Sequence, residues 1–381
     1  SSAASDVYKR QLLYCALAAV RLLRCYTRNM DRNEGKRVSQ IGVPAPLMVA
    51  AALVVVGAGV QAMASWLAPL LVAVFLAMIS TPPLLWLRRY HVPWGIGVVL
   101  LFFAVGLAFF QLFTVIEVTG QELAQQAPLY QERWQTLVGQ SKQWLTERGA
   151  PWHALVGEIP TPSLAAMAQW AGRLAATTGQ VTANFALVLF AFLFLLLEVP
   201  SLPLRFAAAF PYERRTAVRL RRFLLAVNRY LVIKTSVSIL TGLAVWGWLT
   251  WQGVGFALFF AVLAGLLNFI PTIGSLIAAV PAIGLALLEG GVGTAAIVAL
   301  GYGAINLVLG SWVEPRWMGQ ALGLSPTVVL VSLLLWGWLL GTIGAFLSIP
   351  LTMVAKFALE SHPATRRWAM LLGATTSGKR L

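Results

Sequence analysis

Residues 253 to 289 are apolar almost throughout, and so are residues 326 to 357. As a straight helix rising about 1.5 Å per residue, either block would be about 50 Å long, against a hydrocarbon core of about 30 Å. Each must therefore break or fold back on itself. The breakers are present. The first block contains "NFIPTIGSLIAAVPAI", with Pro271, Gly274, Pro281 and Gly284, and the second contains "WGWLLGTIGAFLSIP". Proline removes a backbone donor and glycine weakens a helix interior, so neither block is specified as a plain anchor. Thr-Ile-Gly occurs at Thr272 to Gly274 and again at Thr342 to Gly344, followed by Pro281 seven residues on in one case and Pro350 six residues on in the other. The two blocks read as a weak internal repeat.

Six further runs reach the roughly 20 apolar residues that a membrane helix needs: about 47 to 65, 67 to 87, 95 to 117, 180 to 199, 231 to 250 and 292 to 312. With 59% hydrophobic and 11% charged residues in 381, the chain has more apolar surface than one soluble core could hide. The expected fold is all-α, a polytopic membrane protein of about eight membrane segments. The net charge of +15 does not indicate nucleic acid, because the basic residues fall in blocks between apolar runs, as the positive-inside rule predicts.

Those blocks set the expected orientation. They lie at Lys36 and Arg37, at Arg88 and Arg89, across Arg205 to Lys234, and at Lys356 to Arg380, whereas residues 118 to 178 balance Arg133, Lys142, Arg148 and Arg173 with Glu122, Glu132, Glu147 and Glu158. Residues 118 to 178 are expected outside and both termini in the cytoplasm. By the same parity, the block at 253 to 289 starts and ends outside, and that at 326 to 357 starts and ends inside. The result is two broken hairpins of opposite orientation.

The expected organisation follows the chain. Residues 1–29 read as a non-native or disordered leader, because "SSAASDVYKRQLLY" resembles translated adapter sequence and Met30 opens a more natural beginning. Residues 30–117 hold a cytoplasmic amino-terminal segment and the first three membrane helices. Residues 118–178 form an extracytoplasmic amphipathic segment, whose Tyr130, Trp134, Leu137, Ser141 and Trp144 recur at alternating spacings of four and three, the seam of an interfacial helix. Residues 179–230 hold a membrane helix and a basic segment with Arg215, Arg219 and Arg222 on one helical face, expected to touch anionic lipid. Residues 231–360 carry the two hairpins, and 361–381 form a basic cytoplasmic tail.

Paired discontinuous segments of opposite orientation mark a transporter whose site lies where the repeats meet, lined by backbone groups that the breaks set free. The candidate substrate-binding residues are Asn268, Pro271, Thr272 and Gly274 on the first hairpin and Gly341, Thr342 and Gly344 on the second. The competing reading is that glycines such as Gly337 and Gly341, in a GxxxG pattern, only let helices pack closely. Glu117, Glu198, Glu289 and Glu314 all fall near helix ends, and Glu314, next to Pro315 and near Arg316, is the candidate for ion coupling, with Arg316 as its partner. No mid-membrane acid is apparent, which argues against a strongly proton-coupled pump. Catalytic residues, cofactors and metal ligands are not expected. His91, His153 and His362 are scattered, Cys15 and Cys25 lie outside the apolar body, and the terminal "GATTSGKR" has Arg380 where a P-loop needs Ser or Thr.

In order along the chain, "NFIPTIGSLIAAVPAI", "EPRWMGQALGLSPTVVL" and "WGWLLGTIGAFLSIPLTMVAKF" resemble the AI-2E (autoinducer-2 exporter) transporter family over nearly all of residues 40 to 360, and "LEVP" at Leu197 to Pro200 also matches. The resemblance implies a bacterial inner-membrane permease. Some members of that family are associated with export of the quorum-sensing signal autoinducer-2 and others with sodium/proton antiport. The reading is an exporter of a small polar solute such as autoinducer-2, working by alternating access and not an enzyme. The alternatives are a sodium/proton antiporter and, in another class, a non-transporting scaffold or oligomeric pore. Expected partners are a small polar solute or monovalent cation, membrane lipids and further copies of the chain in a homo-oligomer, with no nucleic acid.

Overall fold

The computed structural model describes residues 45–148, 184–201, 214–271, 273–318, 324–361 and 365–373. The leader expected over 1–29, the latter part of the segment 118–178, His153, Thr272, His362 and the end of the tail lie outside the described residues, as do the side chains of Trp144, Arg215 and Arg219. The described chain is helical, in the order α1 (Ala45–Ala62), α2 (Ala64–Arg89), α3 (Trp94–Glu147), α4 (Asn184–Glu198), α5 (Arg214–Trp251), α6 (Ala257–Leu267) and α7 (Gly274–Ile305). A π-helical stretch, Asn306–Val313, leads on into α8 (Glu314–Met318), followed by α9 (Pro326–Phe346), α10 (Ser348–Ser361) and the short α11 (Arg366–Leu371).

Among the described residues, 5 helices are long and apolar enough to cross a membrane, while α4 and α6 are apolar but shorter. Their outer faces carry Trp66, Phe103, Leu300 and Trp338, each more than half exposed. In water such surfaces would be a liability, whereas hydrocarbon solvates them. Two boundaries differ from the sequence expectation. The segment at 95 to 117 and the amphipathic helix after it form one rod, α3, of 54 residues, about 80 Å long. The first two expected segments are separated by Met63 alone, at φ −94° and ψ 3°.

The 38-residue α5 is the spine against which both hairpins register. Gly242 abuts the carbonyl of Ala261, and Gly265 abuts the carbonyl of Ser238. As numbering falls along α5 it rises along α6, so the two run antiparallel, and a pair of glycines gives their backbones room to touch. Beyond Leu267 the chain turns and returns as α7, whose Ala278, Ala282 and Ala286 are wholly buried. The base of this first hairpin is closed where the Gly255 N–H donates to Glu289 Oε2 at 2.9 Å. At 11 residues, α6 reaches only about 16 Å. The hairpin therefore enters from the Trp251 end of the spine and stops near its middle.

Gly291, at φ 74° and ψ −170°, ends the outgoing arm, and the chain then runs back along the spine. Gly301 packs on the Trp248 ring, and Glu314 meets Lys234. These positions are thirteen apart on one strand of the pair and fourteen on the other, which fixes an antiparallel register.

The second hairpin, α9 and α10, breaks at Gly341, with φ 68° and ψ −150°. It packs on the opposite half of the spine, where Phe223 stacks on Phe357 at 4.4 Å between ring centroids and Val227, Tyr230 and Leu231 join Leu347, Ile349 and Leu351 in one core cluster. The first hairpin shares a different cluster with Val245 and Leu249. The two hairpins thus enter from opposite ends of α5, as the sequence predicted. Their tips meet through Phe269 and Phe346, whose ring centroids are 6.4 Å apart.

Candidate functional site where the hairpin tips meet the spine

The middle of α5 is apolar in composition yet carries Lys234, Ser238 and Thr241. Spacings of four and three place all three on one helical face, and all three are buried. Thr241 satisfies itself by donating to the Val237 carbonyl. Ser238 Oγ accepts from Asn268 Nδ2 at 3.1 Å, and Lys234 Nζ donates to Glu314 Oε1 at 2.6 Å. One face of the spine therefore offers a polar ladder, one rung fixed to the first hairpin and one to the helix that returns from it.

The Lys234–Glu314 pair is the most strongly charged feature of the interior. Its side chains are 5% and 18% exposed. An ammonium in such surroundings requires a counter-ion, because the desolvation cost of either charge alone is several kcal/mol. The partner of Glu314 is therefore Lys234 and not Arg316, which sits with its guanidinium 3.7 Å from the centroid of the Trp312 ring. The reason is local geometry: Arg316 is two residues from Glu314 in a helical stretch and points to another face. Glu314 immediately follows the π-helical Asn306–Val313. A π-helix is a costly backbone form found mostly where a helix has a functional constraint. On the same helix as Lys234, Asn228 Oδ1, Tyr230 Oη and Thr235 Oγ1 are buried with no protein partner among the described residues.

The expected binding residues are placed unevenly. Asn268 caps α6 and is 7% exposed. Its amide makes a helix-to-helix hydrogen bond. Pro271 lies in the turn, where its carbonyl accepts from Ile273 N–H at 2.7 Å. Gly274 and Gly344 are buried at the two tips, and Gly341 and Thr342 are exposed. A Cβ on Gly274 would overlap the carbonyl oxygen of Leu267, and one on Gly344 would overlap that of Trp336. The glycine that closes each Thr-Ile-Gly thus lets the returning arm touch the backbone of the arm before it. The GxxxG reading fails for Gly341, since a Cβ there would meet nothing within 4 Å. Its positive φ is what requires glycine.

Sequence reasoning missed Lys234, which it counted among the basic flanking residues, and Ser238. The signal was available: a lysine inside the run 231 to 250, followed by small hydroxyl residues at helical spacing. Also missed was the closure at the base of the first hairpin, where Tyr130 Oη lies 3.1 Å from Glu289 Oε1 and 2.8 Å from Gln126 Oε1. Beside it a cavity of about 240 Å³ opens between α3 and the hairpin, lined by Thr119, Gly120, Pro281 and Gly284 among others. Pro281 and Gly284 therefore shape a hollow on the outgoing arm, while the break itself lies between α6 and α7.

Comparison with known proteins fits this arrangement. The pattern described as AI-2E family transporter matches residues 47–364. The AI-2 transport protein TqsA of Escherichia coli is 37% identical over 84% of this chain and 93% of its own length. A Haemophilus influenzae protein named provisionally as a transport protein is 38% identical over 86% of this chain and 95% of its own. YhhT of Escherichia coli, named in the same provisional way, is 33% identical over 88% of this chain and 96% of its own. With opposed hairpins on one spine and a match that runs from the first apolar helix past the second hairpin, the chain belongs to the AI-2E transporter family.

Proposed function

We propose that the protein exports a small polar solute such as autoinducer-2 across the bacterial inner (cytoplasmic) membrane by alternating access, with both termini in the cytoplasm. The observation that carries this reading is the meeting of two oppositely directed hairpin tips beside the polar face of α5. Hairpins entering from opposite ends can open in turn, one admitting solute as the other closes, around a site that stays near the middle. Uncommitted polar atoms at Asn228, Tyr230 and Thr235 suit a ligand recognised by hydrogen bonds. The relative named as an AI-2 transport protein supports the choice of solute class.

Flux into proteoliposomes tests the proposal. An exporter moves labelled autoinducer-2 down its gradient and saturates with concentration. Sodium-dependent proton movement without organic flux would make the protein an antiporter, and no flux of either kind in well-folded protein would make it a scaffold. Orientation is checked separately. Gln140, exposed on the far part of α3, replaced by cysteine in a background lacking Cys15 and Cys25, is expected to react with an impermeant thiol reagent applied outside intact cells. Reaction only after the cytoplasmic face is opened would reverse the topology.

A further inference from the structure

At the end of the spine away from Trp251, a cleft of about 540 Å³ opens between α5, α10 and α11. Its charged lining is Arg222 from α5, Lys356 and Glu360 from α10, and Arg366 from α11. Among the described residues three cations face one acid, and that acid lies 3.9 Å from Lys356. Arg222 and Arg366 have no ion-pair partner among the described residues. The floor is different in kind. Phe223, Met353 and Phe357 line it, and the stacked rings of Phe223 and Phe357, tilted by only 17°, give it a flat apolar wall. Met370, which also lines the cleft, is 68% exposed.

We propose that this cleft binds the phosphate headgroup of an anionic phospholipid, with its acyl chain lying on the Phe223–Phe357 wall. A guanidinium offers paired donors that match two phosphate oxygens, and two come from separate helices here, so a phosphate would bridge α5 to α11. A soluble phosphate would satisfy the charges but leave the apolar floor and the exposed Met370 in water. A phospholipid covers both, since the boundary between headgroup and acyl chain places charge and hydrocarbon side by side. An excess of cations with a single acid, itself close to Lys356, favours a net-negative headgroup over a zwitterionic one.

The test uses the full chain, purified with its lipids and then exchanged into mixed micelles containing equal phosphatidylglycerol and phosphatidylcholine, with retained lipid counted by native mass spectrometry. The wild-type protein is expected to retain phosphatidylglycerol at least tenfold over phosphatidylcholine. The Arg222→Gln/Arg366→Gln variant is expected to lose that preference, and Arg222→Lys/Arg366→Lys to keep most of it, which separates loss of charge from loss of fold. Equal retention of the two lipids by the wild type, or undiminished preference in the glutamine variant, overturns the proposal. Displacement of the lipid by millimolar inorganic phosphate would assign the cleft to a soluble anion and overturn the lipid assignment. A changed oligomeric state in the glutamine variant with unchanged lipid content would make the cleft an interface between copies.

Discussion

Glu314→Gln is expected to destabilise the protein by about 3 kcal/mol and to lower flux more than tenfold. The substitution leaves the Lys234 ammonium, 5% exposed, without its counter-ion, and removing one member of a buried pair costs about 3–5 kcal/mol. The lower edge of that range applies because the Glu314 carboxylate is 18% exposed and partly screened by solvent. Replacing both partners by apolar residues, as in Lys234→Met/Glu314→Leu, removes the unpaired charge together with the pair. Stability is then expected to return to within about 1 kcal/mol of the wild type, as is common for buried pairs replaced whole. Flux is not expected to return, because the ion-coupling role proposed for Glu314 from its place in the sequence needs the charge that the double variant removes. Thermal unfolding in detergent and proteoliposome flux, measured on all four corners of the cycle, separate the two effects. A double variant that recovers both stability and flux would make the pair a packing device and remove it from the site.

Gly344→Ala should be the most damaging single methyl added to the chain, with Gly274→Ala close behind. At Gly344 the new Cβ overlaps the Trp336 carbonyl and also lies 2.7 Å from Leu340 Cβ, while Gly274 overlaps the Leu267 carbonyl. Backbone cannot swing aside as a flexible side chain can. The arm must move, at a cost of about 3 kcal/mol, the upper end for adding a methyl group to a packed interior. The expected outcome is sharply lower yield of monodisperse protein and a lower melting temperature. Gly337→Ala is the control. Its Cβ would only touch Ala345 at 3.7 Å, and alanine favours the helix by about 1 kcal/mol, so stability is expected to hold or rise. Gly341→Ala should fall between them, since φ 68° with ψ −150° is a backbone region that essentially only glycine adopts and costs an alanine about 1–3 kcal/mol without any clash. If Gly337→Ala and Gly344→Ala behave alike, the two glycines act as one packing motif and the close-approach argument fails.

The membrane class, the two breaks and their opposite directions are legible in the chain alone. These follow from quantities counted along the chain: the length of an apolar run against the thickness of hydrocarbon, the positions of proline and glycine, and the parity of crossings between basic blocks. Which side chains meet depends on how the helices pack. Glu314 has Arg316 two residues away and Lys234 eighty positions away, yet the distant lysine is its partner, because helical geometry turns the near one aside and the antiparallel register brings the far one opposite. Asn268 finds Ser238 for the same reason, and Tyr130 reaches Glu289 across 159 positions because α3 continues as an unbroken rod past its expected end. The roles of Gly341 and Gly344 also separate only in three dimensions. Three residues apart in one motif, one supplies a positive φ in open space and the other a surface on which two backbones touch. Periodicity and composition are local or averaged properties, whereas register along a shared spine is a relation between segments, and it exists only once they have packed.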